Sequence, residues 1–378
     1  MTILCFSCQA QKQPKPIKVG AERTEEYLPS LSEQRVAVLA NHTAIVGEQH
    51  LVDMLVEKGV NLVGIFSPEH GFRGGADAGE HVASSVDEKT GAPIWSLYDG
   101  NTKRPSEDKM RAFDVLLVDM QDVGLRFYTY YISMVRMMDA AADFGCRVIV
   151  LDRPNPNGMY VDGPILDMKY KSGVGALPIP VVHGLTMGEI ALMAKGEGWC
   201  KSCDLQVVAC ENYTHQSRYT LPIAPSPNLP TQHSIYLYPS TCLFEGTVCS
   251  LGRGTDFPFE CYGHPQYQGS EFGFTPVSRS GAKNPPLMSK KCWGVDLRNI
   301  ADEDVIAAGF NLEYVIDAYR NLNMGEKFFT RMFLLLTGVD YIKEMIIEGR
   351  TAAEIRAMWQ DDVEQFKLLR RKYLLYEE

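Results

Sequence analysis

Four short apolar segments in the first half of the chain predict buried strands of one sheet. They span residues 35–40, 61–66, 114–120 and 147–151. Between the first two, Leu51, Met54 and Leu55 recur at helical spacing until Gly59, which predicts a strand–helix–strand unit and therefore a parallel pair. The segment at 114–120 is apolar on both faces and belongs in the sheet centre. The sequence thus predicts an α/β fold with a Rossmann-like, mostly parallel sheet.

Polar residues follow each of these strands directly. They are Asn41 and His42, Glu69 and His70, Asp119 and Asp122, and Asp152, Arg153 and Asn155. His183 follows a fifth apolar segment, 179–182, in the same way. Because the carboxyl ends of parallel strands lie at one edge of a sheet, we expect these side chains to meet there. One polar strand end is easily explained as a solvated loop, whereas four in succession favour an active site.

The loop after the second strand combines glycines with ionisable residues. Within residues 65–82, four glycines accompany Glu69, His70, Arg73 and Glu80, so the segment is too polar for a core element. Two glutamates in one such loop suit an acid and its partner carboxylate. The alternative is a solvated surface loop with ordinary charges.

Composition excludes several classes of protein. The chain has 378 residues and a net charge of -10, which argues against nucleic-acid binding. It has no run of ~18 apolar residues, so no transmembrane span is expected. There is no Gly-x-Gly-x-x-Gly after the first strand and no Walker loop, so no nucleotide cofactor is implied. Cys200 and Cys203 have the spacing of a metal pair, but without a second pair a local disulfide or two unrelated thiols is favoured.

Residues 1–16 are interpreted as a leader. The apolar start ends in Ser7-Cys8, similar to the cleavage site of a bacterial lipoprotein, although Cys5 stands where Leu is usual. Because the stretch is short for a complete signal, either the start codon is set too late or this is a frayed end. We favour export, to the periplasm or as a membrane lipoprotein anchored through Cys8.

A smaller α+β C-terminal domain is expected at 223–378, after a Rossmann-like catalytic domain at 17–222. Residues 223–230 are rich in proline and predict a rigid, polyproline-like linker. A Gly-rich loop at 244–256 presents Glu245 and Arg253. An arginine so placed suits a carboxylate or a sugar hydroxyl, or else an ion pair with a nearby acid. Helices are expected at 312–322, 326–346 and 351–376.

Several long motifs of the chain resemble those of the NamZ-type exo-β-N-acetylmuramidases, a family long catalogued only as a domain of unknown function. The motifs are Ser67-Pro-Glu-His-Gly-Phe-Arg-Gly74, the run from Asp119 to Tyr130, Asp152-Arg-Pro-Asn-Pro-Asn-Gly158, Ala224-Pro-Ser-Pro-Asn-Leu-Pro230, Phe244-Glu-Gly-Thr247 and Gly252-Arg-Gly-Thr255. The resemblance spans roughly residues 17–378. It implies a glycoside hydrolase that removes β-1,4-linked N-acetylmuramic acid from the non-reducing end of peptidoglycan fragments, in cell-wall recycling. It also implies a Rossmann-like domain with the active-site cleft, plus a smaller C-terminal domain.

The resemblance also implies the site residues. Glu69 is the first catalytic glutamate, and Glu80 is the first choice for the second carboxylate; its rivals are Glu22, Asp119, Asp122 and Glu245. The predicted substrate-binding residues are Asn41, His70, Arg73, Asp119, Asp122, Arg126, Tyr128, Asp152, Arg153, Asn155, His183, Asn228, Glu245 and Arg253. The lactyl carboxylate of muramic acid calls for a cation, for which Arg73, Arg126, Arg153 and Arg253 are the candidates. No metal and no cofactor is predicted.

Glycoside cleavage needs a carboxylic acid to protonate the leaving oxygen and an anion to stabilise the oxocarbenium-like centre. Glu69 suits the acid if burial or a neighbouring carboxylate raises its pKa. The 2-acetamido group of the sugar is an alternative nucleophile. One rival function is an amidase or esterase. The sequence contains neither a Gly-x-Ser-x-Gly nor a His-Glu-x-x-His motif, which argues against this rival. The second is a non-catalytic sugar-binding lipoprotein.

Overall fold

A computed structural model of the protein describes residues 15–68, 72, 85–97 and 104–378. Its strands are β1 (Val36–Ala40), β2 (Ile45–Val46), β3 (Gln49–His50), β4 (Leu62–Ser67), β5 (Ser85–Val86), β6 (Pro93–Ser96), β7 (Val115–Asp119), β8 (Arg147–Leu151), β9 (Asp204–Val208), β10 (Cys261–His264), β11 (Gly273–Phe274) and β12 (Cys292–Asp296). Its α-helices are α1 (Leu51–Glu57), α2 (Glu107–Met110), α3 (Tyr130–Phe144), α4 (Met187–Gly196), α5 (Gln232–Thr241), α6 (Asp302–Ala308), α7 (Glu313–Leu322), α8 (Arg331–Thr337), α9 (Tyr341–Ile347), α10 (Ala352–Ala357) and α11 (Gln360–Arg370).

One seven-stranded sheet organises the N-terminal part, in the order β5-β6-β4-β1-β7-β8-β9. All its pairs are parallel except β5 with β6. The predicted α/β fold with a mostly parallel sheet is therefore confirmed. Every residue of β1 and β7 is buried, because the strands are covered on both faces.

Alternate residues of the central strand enter two different hydrophobic cores. Val36 and Val38 pack with Leu51 and Leu55 of α1 on one face. Ala37 and Leu39 join the larger core on the other face, which includes α3 and α4. This follows from the two-residue period of a strand, which sends successive side chains to opposite sides of the sheet. The functional edge is thus held between two packed helical layers.

The C-terminal part contains a three-stranded antiparallel sheet, β10-β12-β11, and helices α5 to α11. Arg126 connects it to the N-terminal part. Its Nη1 donates to the carbonyls of Pro164 and Ile179, and its Nη2 donates to those of Leu336 and Thr337. The larger hydrophobic core is continuous across both parts, since Phe127 packs edge-on against Tyr238.

Several predicted elements differ from the structure. Residues 179–182 are not a strand: Val182 forms only isolated bridges to Leu125 and Asp162. Residues 223–230 are not an extended linker but a turn-rich segment, in which the amide of Leu229 donates to the Ser226 carbonyl. These residues fold back because a buried polar side chain, Asn228, anchors them.

The helices of the C-terminal part are shorter than predicted. The region 326–346 contains a 3-10 turn (Gly325–Phe328), α8 and α9, because Gly338 at φ 71 terminates α8. The region 351–376 contains α10, α11 and a further 3-10 turn. Helices α5 and α6 were not predicted. Cys200 and Cys203 are free thiols, so the alternative of two unrelated thiols holds and the disulfide does not.

Candidate functional site

The carboxyl ends of β1, β7 and β8 lie side by side, and a buried ion pair joins two of them. Arg153 donates from Nε to Asp119 Oδ1 at 2.5 Å and from Nη2 to Asp119 Oδ2 at 2.9 Å. The two side chains are 4% and 0% exposed. Arg153 Nη2 also donates to the Ile45 carbonyl at 2.9 Å. Asp119 and Arg153 therefore lie together at the sheet edge, as predicted for residues that follow parallel strands, and each compensates the charge of the other.

Asn41 lies at the same edge, after β1. Its Oδ1 accepts hydrogen bonds from the amide and the hydroxyl of Thr43, at 3.0 and 2.6 Å. The Thr43 hydroxyl in turn accepts from the amide of Gln121 at 2.9 Å. Within the described part of the chain, the buried Nδ2 of Asn41 has no hydrogen-bond partner. Asn41 therefore offers an uncommitted donor at the sheet edge.

Asp122 is a buried carboxyl with one uncommitted oxygen. Its Oδ1 accepts from the amide of Gly124 at 2.7 Å, and the described residues provide no partner for its Oδ2. Burial raises the pKa of Asp122 to about 7, against the opposing effect of its backbone hydrogen bonds. Asp122 can therefore hold a proton near neutral pH, as a general acid or a proton-donating ligand requires.

Asp152 has a structural position, and its predicted contact with substrate stays a prediction. Its carboxylate accepts from the hydroxyls of Thr186 and Tyr376, both at 2.6 Å, and from the amide of Gly188 at 2.8 Å. Burial raises its pKa to about 6. Fully buried and with these three donors, Asp152 fixes the start of α4 and the segment around Tyr376 beneath the site.

Asn155 and His183 also organise the loops behind the sheet edge. Asn155 donates from Nδ2 to the Leu185 carbonyl at 2.9 Å and accepts from the amide of Asn157 at 2.8 Å. His183 is fully buried and accepts from the amide of Leu185 at 3.1 Å. Burial lowers the pKa of His183 to about 3, so it is neutral under ordinary conditions. Both side chains thus hold these loops in place, and their contact with substrate stays a prediction.

Arg126 also has a structural position. It is fully buried, and its four terminal N–H groups are satisfied by four backbone carbonyls. Burial lowers its pKa to about 10. A guanidinium so completely bound has no donor to offer a ligand from its Nη atoms.

The other four predicted residues, Tyr128, Asn228, Glu245 and Arg253, line one cavity between the two parts of the chain, with a volume of about 120 Å³. Both Nε and Nη2 of Arg253 donate to Glu245 Oε1, at 3.0 and 2.5 Å. Asn228 Nδ2 donates to the Gly281 carbonyl at 2.7 Å. The Arg253 guanidinium lies 5.1 Å from the Phe259 ring centre, within the range of a cation–π contact. We call this the interdomain pocket.

The segment 224–230 joins the interdomain pocket to the sheet edge. His42 Nε2 lies 2.9 Å from the carbonyl of Ala224, and the Tyr128 hydroxyl donates to the carbonyl of Pro225 at 2.8 Å. Ser226 and Asn228 of the same segment line the pocket. The predicted linker is thus one wall of the cleft.

The loop with the predicted catalytic glutamates falls outside the described residues, and so do Glu69, His70, Arg73 and Glu80. The described chain reaches Pro68, directly after β4. Leu39 of β1 pairs with Phe66 of β4, so the chain leaves the sheet at the same edge as Asn41.

Sequence reasoning missed several pocket residues. They are Phe127, Thr129, Tyr130, Val174, Ser226, Leu229, Tyr238 and Phe259. The aromatic run after β7 was a usable signal for the first three. Tyr238 and Phe259 stand in aromatic-rich stretches, 234–238 and 257–268, and the second was a candidate sugar-stacking platform or plain core. No local pattern indicated that the two rings lie at the same pocket. Among the described residues, no group of three His, Cys, Asp or Glu side chains could hold a metal ion. The same residues form no helix that is long and apolar enough to cross a membrane.

Together these features define a two-domain α/β protein whose cleft lies between the carboxyl edge of a Rossmann-like sheet and a smaller domain. The chain belongs to the exo-β-N-acetylmuramidase NamZ family, a family of glycoside hydrolases. The N-terminal model of that family matches residues 36–233 and the C-terminal model matches residues 236–376.

Named relatives agree with this assignment. The peptidoglycan β-N-acetylmuramidase NamZ of Bacillus subtilis strain 168 is 37% identical, over 97% of this chain and 93% of the relative. Two solved structures of DUF1343 family proteins from Bacteroides fragilis NCTC 9343 are also similar. One is 57% identical with a TM-score of 0.91, covering 96% of this chain and 100% of the other. The second is 28% identical with a TM-score of 0.84, covering 96% and 99%.

Proposed function

We propose that this protein is an exo-β-N-acetylmuramidase that hydrolyses β-1,4-linked N-acetylmuramic acid from the non-reducing end of peptidoglycan fragments. The observation that carries the proposal is the 37% identity to a peptidoglycan β-N-acetylmuramidase across 97% of the chain. The cleft supports it, because seven of the predicted substrate-binding residues lie at its sheet edge or line its pocket.

Glu69 is the proposed acid that protonates the leaving oxygen, and Glu80 is the proposed partner carboxylate. The contacts of the described rivals weaken two of them. Asp119 is neutralised by Arg153, and Glu22 accepts from the amide of Val19 at 2.9 Å in a helix cap. Two described rivals remain. Glu245 lines the interdomain pocket, although it is paired with Arg253, and Asp122 has one oxygen without a partner among the described residues. The 2-acetamido group of the substrate is the other source of a nucleophile.

The test is release of chromophore from a chromogenic β-N-acetylmuramide by the wild type and by Glu69→Gln. Loss of a general acid lowers kcat by about 10²-fold or more, and we expect this loss. Glu80→Gln, Asp122→Asn and Glu245→Gln are measured in parallel to identify the partner. Glu57→Gln, on the exposed face of α1, is the matched control and should retain full activity.

A non-catalytic sugar-binding protein gives the opposite result. It binds N-acetylmuramic acid in calorimetry, turns over no glycoside, and keeps its affinity in Glu69→Gln. An unchanged rate in Glu69→Gln, with an active wild type, leaves the glycosidase intact but moves the acid to another residue.

We propose further that the protein is exported and carries a lipid at Cys8, which would bring it to peptidoglycan fragments outside the cytoplasm. The lipoprotein-like Ser7-Cys8 sequence supports this, and residues 1–14 lie outside the described part. Metabolic labelling of the full chain with a clickable palmitate analogue tests it. Label in the wild type and none in Cys8→Ser is expected; an unlabelled wild type contradicts the anchor.

A further inference from the structure

We propose that Arg253, held in place by Glu245, binds the 3-O-lactyl carboxylate of the terminal muramoyl residue and so selects N-acetylmuramides over N-acetylglucosaminides. This inference rests on the proposed function. The lactyl ether is the group that distinguishes the two sugars. It carries a negative charge, for which a planar guanidinium is the best matched protein group.

Two of the other arginines predicted for this role have no pair of parallel N–H donors available for a carboxylate. Arg126 uses both hydrogens of Nη1 and both of Nη2 on backbone carbonyls. Arg153 donates from Nε and Nη2 to the two carboxylate oxygens of Asp119. The second hydrogen of Nη2 is donated to the Ile45 carbonyl. The side chain of Arg153 is only 4% exposed. Neither can present two parallel donors to a ligand.

Arg253 differs because a single oxygen receives both of its bonds to Glu245. Glu245 Oε1 accepts from Nε and Nη2, which occupies the side edge of the guanidinium. Among the described residues, Nη1 of Arg253 has no hydrogen-bond partner, so Nη1 and the second hydrogen of Nη2 form an available end edge. This edge matches a bidentate carboxylate. The Arg253 side chain is 18% exposed, so a ligand can reach it.

Glu245 gives the guanidinium a fixed orientation. Its two hydrogen bonds and the face of Phe259 hold the plane of Arg253, so little side-chain entropy is lost when a ligand binds. Glu245 also compensates part of the positive charge of Arg253, which lowers the cost of holding that charge in a low-dielectric site. The arrangement is therefore a pre-formed carboxylate clamp.

The size and walls of the interdomain pocket fit the lactyl substituent of the sugar and not the whole sugar. Its volume of about 120 Å³ is below the roughly 300 Å³ at which pockets for whole small molecules begin. Tyr128, Tyr130 and Tyr238 supply aromatic surface for the methyl group of the lactyl ether. The sugar ring is then left outside the pocket, toward the sheet edge, where the reacting bond is expected.

The experiment compares two chromogenic β-N-acetylmuramides, one with a free lactyl carboxylate and one with its methyl ester. Wild type should prefer the free acid in kcat/KM. Arg253→Gln should reduce that preference by about 10- to 100-fold, because kcat/KM falls for the free acid and not for the ester. This is the range expected for a charge-assisted bidentate bond. Arg253→Lys keeps the charge without the planar fork and should retain an intermediate preference. Arg350→Gln, at an exposed surface, is the control and should match wild type.

The outcomes separate this inference from the proposed function. An active wild type that treats acid and ester alike, or an Arg253→Gln variant that keeps the preference, overturns the clamp and leaves the glycosidase standing. A preference lost in Arg73→Gln but kept in Arg253→Gln also overturns it. If wild type cleaves neither substrate, the proposed function fails. The clamp is then judged by calorimetry, where wild type but not Arg253→Gln must bind N-acetylmuramic acid more tightly than N-acetylglucosamine.

Discussion

The hydroxyl of Tyr376 donates to Oδ2 of Asp152 at 2.6 Å, across 224 positions of sequence. The same hydroxyl accepts from the amide of Cys210 at 2.9 Å, and the neighbouring amide of Leu375 donates to Glu189 at 2.8 Å. A short segment near residue 376 thus supports the loop that carries Arg153 to the sheet edge.

Removal of this hydroxyl should destabilise the fold. In Tyr376→Phe a buried carboxyl loses one donor and a buried amide loses its acceptor, at a cost of about 1–3 kcal/mol in the free energy of unfolding. Urea unfolding at pH 7 measures this. Tyr373→Phe is the control, since its hydroxyl bonds the partly exposed Glu197, and it should cost less than about 1 kcal/mol. Equal losses in the two variants would contradict a special role for the bond to Asp152.

Asp122 should make stability depend on pH in a defined direction. Its pKa is raised in the folded protein to about 7 from 3.8, so folding favours the protonated form. This contribution is complete below about pH 4 and is lost as the pH rises through about 7. The free energy of unfolding of wild type should therefore fall between pH 5 and pH 8 by about 2 kcal/mol relative to Asp122→Asn, which cannot ionise.

The measurement is urea unfolding of both proteins across that range, read as the difference between them. Taking the difference cancels the titration of all other groups. A difference that is constant with pH, or that changes in the opposite direction, shows that Asp122 is not protonated by burial.

Loss of Arg126 should weaken the connection between the two parts of the chain. Arg126→Met leaves four buried carbonyls without their donor, and we expect a loss of about 3 kcal/mol or more. The two parts should also unfold less cooperatively, visible as a smaller denaturant dependence or a second transition. Arg320→Met, on an exposed helix surface, is the control. A single transition with an unchanged midpoint in Arg126→Met is the contrary result.

The sequence predicted the sheet and its functional edge because both depend on local patterns. Continuous apolar runs identify buried strands, and polar residues directly after them identify the edge, which is how Asn41 and Asp119 were found. Glu245 and Arg253 stood out because glycines flank them within a short loop. These inferences require only the composition of a few neighbouring residues.

Long-range partners were not predictable in this way. Arg126 and Arg253 are both arginines near glycine and aromatic residues, yet one is saturated by carbonyls and the other has an available edge. The difference lies in partners such as Leu336, 210 positions away from Arg126. The segment 224–230 was predicted as a linker because its prolines favour an extended, polyproline-like backbone. Its real role depends on Asn228 reaching Gly281, which no local pattern reveals.

The carbonyl partners of Arg126 also set an order for folding during synthesis. Pro164 and Ile179 leave the ribosome soon after Arg126. Leu336 lies 210 residues after Arg126 and leaves the ribosome much later. At bacterial and eukaryotic elongation rates this delay is roughly 10–40 s. Until then, two N–H groups of a guanidinium destined for burial are without protein partners. The N-terminal part therefore reaches its final packing around Arg126 only when residues 336 and 337 are present.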